Sequence, residues 1–567
     1  MRRGVHGGFL RFHIFTIVAV VCAAIGKSAP VIARNGIVQA TTLAAPGLPN
    51  ATIAQGSLFS IYGSGLGPAA FRTADAYPLR ADLGGVTVTA AQGRTTVNVI
   101  PVFVSAGQIN AVLPSNTPIG LVAFKVTYNG QASRLELMQV VKANFGTFAV
   151  NSAGFGPGVI QNFLAADNQP VNSLTQTAKP GIPIVLWGSG LGPVPDDTVA
   201  PAAGDLPTPI QILVGGKPAV KLYAGRAPCC SGLDQLVFTL PTDAPLGCNV
   251  PVQIVTAGTI SSNVTTMAIS ADGLPCRDEI NPFNIAPLAG GRVGTVLLTR
   301  VSSYGRKRGA TPASTADIAL ATFRNYSGGN QFAFEPSYSL PPVGTCTVYT
   351  AVAASFSDAA FRGKFYAPFT ALDAGNNLSV STQPRTGTVL RDIDHPRDYG
   401  GVLGGSQSGL SAPFFNATET FTVAGSGGSQ VGTFSVPLNK LPGLTWTNVA
   451  TTKVIDRSQP LRVTWEVTNP GAVGLAGYAV TIVGAATSLP EKATAMFQCV
   501  AKASDGAFVV PTAILQTLPA EHVEPADSTA SLGLGVVALR GAAFSATNLD
   551  TGVAMMISAS VATVTLR

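Results

Sequence analysis

Residues able to carry chemistry are sparse in this chain of 567 residues, and their spacing limits what they can do. Of its four histidines, His6 and His13 lie near the N-terminus, leaving His395 and His522. Any mechanism that pairs a nucleophile with an imidazole, or builds a multi-histidine metal site, must draw on one of those two. His395 belongs to the densest polar cluster, Asp392-Ile393-Asp394-His395-Pro396-Arg397-Asp398-Tyr399. In an extended segment Asp392 and Asp394 share a face, and with Asp398 they offer oxygen ligands to a hard cation. The glycine and closing glutamate of a calcium loop are missing, so the cluster reads as a solvated loop between strands. Glu521-His522-Val523-Glu524-Pro525 reads the same way. Neither a catalytic residue nor a bound cofactor or metal is expected.

Cysteine is the other reactive type, and its use depends on where the chain resides. Arg2, Arg3 and Arg11 form a basic start, Ile14 to Ile25 an apolar run, and Ala24-Ile25-Gly26 a small-residue cleavage site. This is the pattern of a secretory signal peptide over residues 1–26. The run is short for a membrane span, and no later stretch is long and apolar enough. The expected location is therefore outside the cytoplasm: secreted, at the cell surface, or in the periplasm. With Cys22 removed in the leader, Cys229, Cys230, Cys248, Cys276, Cys346 and Cys499 remain. An even number in an exported chain predicts disulfides, each stabilising by roughly 3–4 kcal/mol in the chain-entropy view. Adjacent residues make a strained bridge, so Cys229 and Cys230 are expected to pair with Cys248 and Cys276, and Cys346 with Cys499. Zinc would ask for Cys-x-x-Cys pairs and histidines that the chain does not offer.

Composition sets the elements that must position these groups. With 62 glycines and 41 prolines, ordinary helices would be broken repeatedly, whereas short strands joined by turns would survive. Charged residues make up only 11%, and the formal +7 falls once the leader arginines leave. The basic triplet Arg306-Lys307-Arg308 sits in a Ser/Gly-rich turn, so nucleic acid is not an expected partner.

The chain repeats itself. Gly63-Ser64-Gly65-Leu66-Gly67-Pro68 returns unchanged as Gly188-Ser189-Gly190-Leu191-Gly192-Pro193. Gln108-Ile109-Asn110 with Pro114 returns as Gln235-Leu236-Val237 with Pro241. Repetition of this kind defines an architectural unit. Phe59 and Ile61 alternate with Ser60, and Ile184 and Leu186 occupy the equivalent places, the period of a strand with one buried face. Seven or so short strands per unit, with Asn129-Gly130 as a hairpin turn, predict an immunoglobulin-like sandwich. A phosphate-binding loop is excluded, because Pro68 and Pro193 follow at once and no helix opens behind them. Ser64 and Ser189 lack the Gly-x-Ser-x-Gly context of a nucleophile elbow. The second unit alone carries the insertion Ala227-Pro228-Cys229-Cys230-Ser231-Gly232, read as a stapled loop.

The Gly-Ser-Gly-Leu-Gly-Pro corner, the Gln-Ile-Asn strand and the run Cys229-Cys230-Ser231-Gly232-Leu233-Asp234-Gln235 together resemble a module of secreted soil-bacterial proteins. That module is similar to the IPT/TIG branch of immunoglobulin-like domains. The resemblance implies an extracellular setting and a sandwich fold, with no assigned catalytic site. It covers residues 37–149 and 150–271. Residues 272–567 keep strand-like alternation and resemble the β-rich segments that accompany such modules. They are divided here into 272–424 and 425–567, with one short helix expected around Pro511 to Leu518.

The fold class expected is all-β, with tandem immunoglobulin-like sandwiches followed by a β-rich C-terminal region. The function expected is non-catalytic adhesion or surface and matrix interaction, with an extracellular protein or polysaccharide as partner. The alternative is a carbohydrate-binding or carbohydrate-active protein with its site in the C-terminal half. Trp187, Trp446 and Trp465 are the only tryptophans that could stack on sugars, and their alternating context favours packing instead.

Overall fold

Alternation of apolar and polar residues becomes two sandwiches of the same topology. The computed structural model describes residues 28–276, 290–305, 312–336, 338–352, 369–383, 385–392, 398–406, 412–468, 471, 474–488, 491, 493–521 and 529–567. The expected leader, the basic triplet 306–308, and Asp394, His395 and His522 lie outside the described residues.

In the first repeat one sheet runs in the order Val31–Gln39, Leu58–Ser64, Gln108–Val112, Ile100–Val104. The facing sheet runs Ile53–Ala54, Glu136–Val141, Gly120–Tyr128, Val86–Gln92, Asp82–Leu83. The second repeat reproduces both orders. Its first sheet is Gly146–Thr147, Pro183–Ser189, Asp234–Thr239, Val220–Arg226, and its second is Gly156–Pro157, Thr265–Ile269, Gly247–Thr256, Ile210–Val214, Lys217–Pro218. Phe59, Ile61, Ile109, Val122 and Phe124 fill the first core, with Phe59 edge-on to Phe124 at 5.5 Å. Ile184, Leu186, Leu236, Phe238, Val250 and Val252 fill the second. Asn129 and Gly130 take positive φ of 51° and 76°, as the tight turn there requires.

The C-terminal region is organised around one long sheet. Its strands run from Cys346–Val352 through Ala493–Lys502, Tyr478–Ser488, Ser531–Ala538 and Thr551–Thr563 to Gly291–Tyr304 and Ser314–Tyr326, then on to Phe421–Gly425 and Phe434–Leu438. Two cores share it. One gathers Phe323, Tyr399, Phe415, Phe421 and Phe434. The other gathers Trp446, Trp465, Ile482, Phe497 and Leu534 beneath a small sheet of Gly443–Trp446, Leu461–Thr468 and Ala507–Val510. These cores are not consecutive stretches of chain. Gly291–Tyr304 and Thr551–Thr563 lie parallel side by side, and a parallel pairing requires a crossover, here most of the region itself. Val296 and Ala554 point into one core, while Tyr304 and Ala562 reach the other. Residue 425 closes a strand whose hairpin partner is Phe434–Leu438. The short helix is Thr512–Leu515, with Ile514, Leu515 and Leu518 buried.

Two of the three bridges differ from expectation, involving four of the six cysteines. Cys346 and Cys499 face each other across paired strands and are joined, as expected. Cys248 is joined to Cys276 with Cα atoms 5.5 Å apart, and Cys229 to its neighbour Cys230. The reason is topological. Cys229 and Cys230 follow Val220–Arg226 in one sheet of the sandwich, whereas Cys248 begins Gly247–Thr256 in the other and packs beside Leu174, Ala268 and Ala333. The adjacent pair is out of reach of the second pair.

Candidate functional site: the joint between the repeats

The repeated corner is where each module receives incoming chain. In the first repeat Val31 and Ile32 pair with Ser64 and Gly63, and in the second Gly146 and Thr147 pair with Ser189 and Gly188. Glycine is needed because the approach is close. A Cβ on Gly63 would lie 2.1 Å from the Val31 carbonyl oxygen, and one on Gly190 would lie 2.0 Å from that of Asn144. Leu66 and Leu191, between the glycines, are buried and anchor the turn. No helix follows either corner.

The second corner carries a buried ion pair that the first lacks. Asp234 lies two residues before Leu236 and four before Phe238, so period two turns it inward with them. Its Oδ2 accepts from the backbone N–H of Gly190 at 2.6 Å and of Leu191 at 2.8 Å. Its Oδ1 pairs with Arg226, whose side chain and that of Asp234 are both buried. Arg226 Nη2 donates to the carbonyl of Gly192 at 2.6 Å and to that of Gly56, in the first repeat, at 2.8 Å. One guanidinium thus ties the corner of one module to the backbone of the other. Burial pushes the Asp234 carboxyl upward, and the Arg226 charge and the two N–H groups oppose that rise.

Around this pair the modules are stitched by polar contacts. Ser189 Oγ donates to the Gly232 carbonyl at 2.6 Å and accepts from the Leu58 N–H at 2.9 Å. Asp197 accepts from the Ser115 N–H at 2.6 Å and the Ser115 hydroxyl at 3.0 Å, and its burial raises the carboxyl above the usual range. The cysteine insertion is part of the joint. Tyr77 Oη accepts from the Ser231 N–H at 2.9 Å and donates to the Cys229 carbonyl at 3.3 Å. Two cavities flank the joint and share Val194, Pro195, Asp196 and Asp197 as a common wall. One, of about 340 Å³, reaches Arg226 and Ser231; the other, of about 500 Å³, opens against Asn98 and Ser115.

Chemically the joint is a clamp. Ser189 is buried in hydrogen bonds to backbone, whereas Ser64 is exposed at the first corner. Of the acidic cluster, Asp392 and Asp398 meet at the base of a hairpin, the Asp392 N–H donating to the Asp398 carbonyl at 2.8 Å. No group of three metal-ligating side chains occurs among the described residues. Trp446 and Trp465 are core residues, and Trp187 is half-buried with its indole N–H on Gln161 at 2.7 Å. No described helix is long and apolar enough to cross a membrane. Sequence reasoning missed Arg226 and Asp234 as partners. The available signal was a carboxylate in phase with Leu236 and Phe238, which demands a buried counter-charge.

No protein family matches the chain, and no curated protein does. Among solved structures it is similar to SGBP-B from a complex xyloglucan utilization locus in Bacteroides uniformis, at 12% identity over 72% of this chain and 97% of that one, with a TM-score of 0.19. Surface layer protein SbsC, domains 4–9, matches at 10% identity over 92% and 83%, with a TM-score of 0.16. The plexin A4 extracellular region matches at 12% identity over 42% of this chain, with a TM-score of 0.15, and the chain spans only 18% of its length. Scores at this level assign no function.

Proposed function

We propose that this chain is a secreted, non-catalytic multidomain protein that acts in extracellular adhesion or in surface and matrix interaction. The observation that carries the reading is the inter-repeat clamp, in which buried Arg226 of the second module grips the Gly56 carbonyl of the first. A clamp of this kind holds modules at a fixed angle, which suits presenting surfaces at a distance and serves no chemistry of its own. Three disulfides support an oxidising environment, in line with the secretory leader. The modules themselves are read as relatives of the IPT/TIG branch through their glycine-proline corners. A carbohydrate platform built on Trp446 and Trp465 is disfavoured because both rings are buried.

The test is retention of the purified mature chain on native surface material and on a panel of polysaccharides, with reducing ends assayed in parallel. Retention without release of reducing ends is the expected result. Turnover of any polysaccharide would overturn the non-catalytic reading, and failure to be retained on surface material would overturn adhesion.

A further inference from the structure

The duplicated modules expose one sheet face in unequal ways. Along Gly120–Tyr128 and Glu136–Val141, alternation sends Val122, Phe124, Met138 and Val140 inward and Leu121, Lys125 and Leu137 outward. Leu121 and Leu137, with Leu135 just before the second strand, are each more than half exposed. In the second repeat Met267 matches Met138 in register, so Val264 and Thr266 match Leu135 and Leu137, and Gln253 matches Lys125. There the face is covered. All ten residues of Gly247–Thr256 are buried, Val264 belongs to a C-terminal core, and Gln253 Nε2 donates to the Ala513 carbonyl at 3.1 Å. The same face is thus an interface with the C-terminal region in one copy, and bare and richer in leucine in the other.

Among the described residues, the C-terminal region also has an apolar sheet face that no other element covers. Leu320 and Leu390 flank Gly400 on three adjacent strands, and Val402 lies two residues on. All three side chains are about half exposed or more. Asp398 shares that face by alternation with Gly400 and Val402, as Lys125 shares the first with Leu121. Arg324 lies on the Leu320 face by the same alternation, but it is paired with Glu335 and stacked on Phe369, which leaves Asp398 as the charge there to set against Lys125. A contact that joins these two unlike faces of neighbouring copies is head-to-tail and not two-fold.

We propose that the outer face of the first repeat docks the Leu320–Leu390–Val402 face of a second copy, with Lys125 opposite Asp398, giving open head-to-tail assembly. This rests on the reading of the chain as a surface protein and names its partner as itself.

Sedimentation velocity on the full mature chain over the micromolar range tests it. The sedimentation coefficient is expected to rise with concentration. L121K/L137K and L320K/V402K, all at exposed positions and checked for unchanged melting, should each be monomeric. Mixed together they should form a dimer and nothing larger, since one intact pair of faces remains. K125D and D398K should each weaken association at least tenfold, and the double reversal should restore it. A wild-type chain that stays monomeric, association that survives both face variants, or no dimer on mixing overturns the proposal. Retention on surface material, measured below the association range with the same variants, separates this failure from failure of adhesion.

Discussion

Removing the Asp234 carboxylate should loosen the second corner by a calculable amount. Asp234→Ala takes away three accepted hydrogen bonds, from Gly190, Leu191 and Arg226, and leaves a buried guanidinium without its counter-charge. Breaking a buried ion pair by deleting one partner costs about 3–5 kcal/mol, much of it the stranded charge. Since about 1.4 kcal/mol is a factor of ten, local opening should become roughly a hundred to several thousand times more frequent. Hydrogen exchange read by mass spectrometry on peptides spanning 183–192 is the direct assay, because the amides of Gly190 and Leu191 are the groups released. Arg226→Met should loosen the same peptides, and it should also expose those around Gly56 in the first repeat. The double variant Arg226→Met/Asp234→Leu removes the stranded charge but still leaves the Gly190 and Leu191 N–H groups without an acceptor, so it should recover only part of the protection and remain less loose than the two singles added together. Exchange at 190 and 191 unchanged in Asp234→Ala, or a double variant as loose as the singles added together, would refute the argument.

Three further outcomes follow from the geometry. Cys346→Ser/Cys499→Ser opens a link spanning 153 residues, and loss of about 5 kcal/mol in the chain-entropy estimate should lower the melting of the C-terminal core in calorimetry. Trp465→Ala should cost about 3–5 kcal/mol by leaving a cavity in that core, whereas a ligand-stacking role would weaken sugar retention with melting unchanged. Burial raises the Asp197 carboxyl, so its contribution to stability is fully present below the ordinary carboxylate pKa and is lost as pH rises through the elevated value. Asp197→Asn should therefore be the more stable protein at neutral pH, with the difference shrinking in denaturant titrations run towards pH 3–4.

Much of the fold could be read directly because alternation is a local signal. Phe59 and Ile61, or Ile184 and Leu186, announce strands wherever the chain sits, and Asn129-Gly130 announces its turn. The corner glycines were legible as backbone turns, yet their purpose was not. Gly190 is glycine because Asn144 arrives beside it, a neighbour that only folding supplies. The candidate site was the least legible part. Asp392 and Asp398 drew attention through density, but density of charge marks solvated loops as readily as sites. Arg226 and Asp234 stood apart in an insertion-bearing stretch, and their meeting depends on two strands being paired.

The strand-rich class, the duplicated modules and the supply of cysteines for bridging are legible along the chain, since each rests on periodicity or composition within a short span. Folding alone settles which cysteines meet, that the two C-terminal cores share long strands of one sheet, and which copy of the duplicated sheet face is covered. Those outcomes depend on contacts between residues far apart in the chain. Residues with the same local pattern, such as Leu135 and Val264, end in opposite environments because only one of them has the C-terminal region beside it.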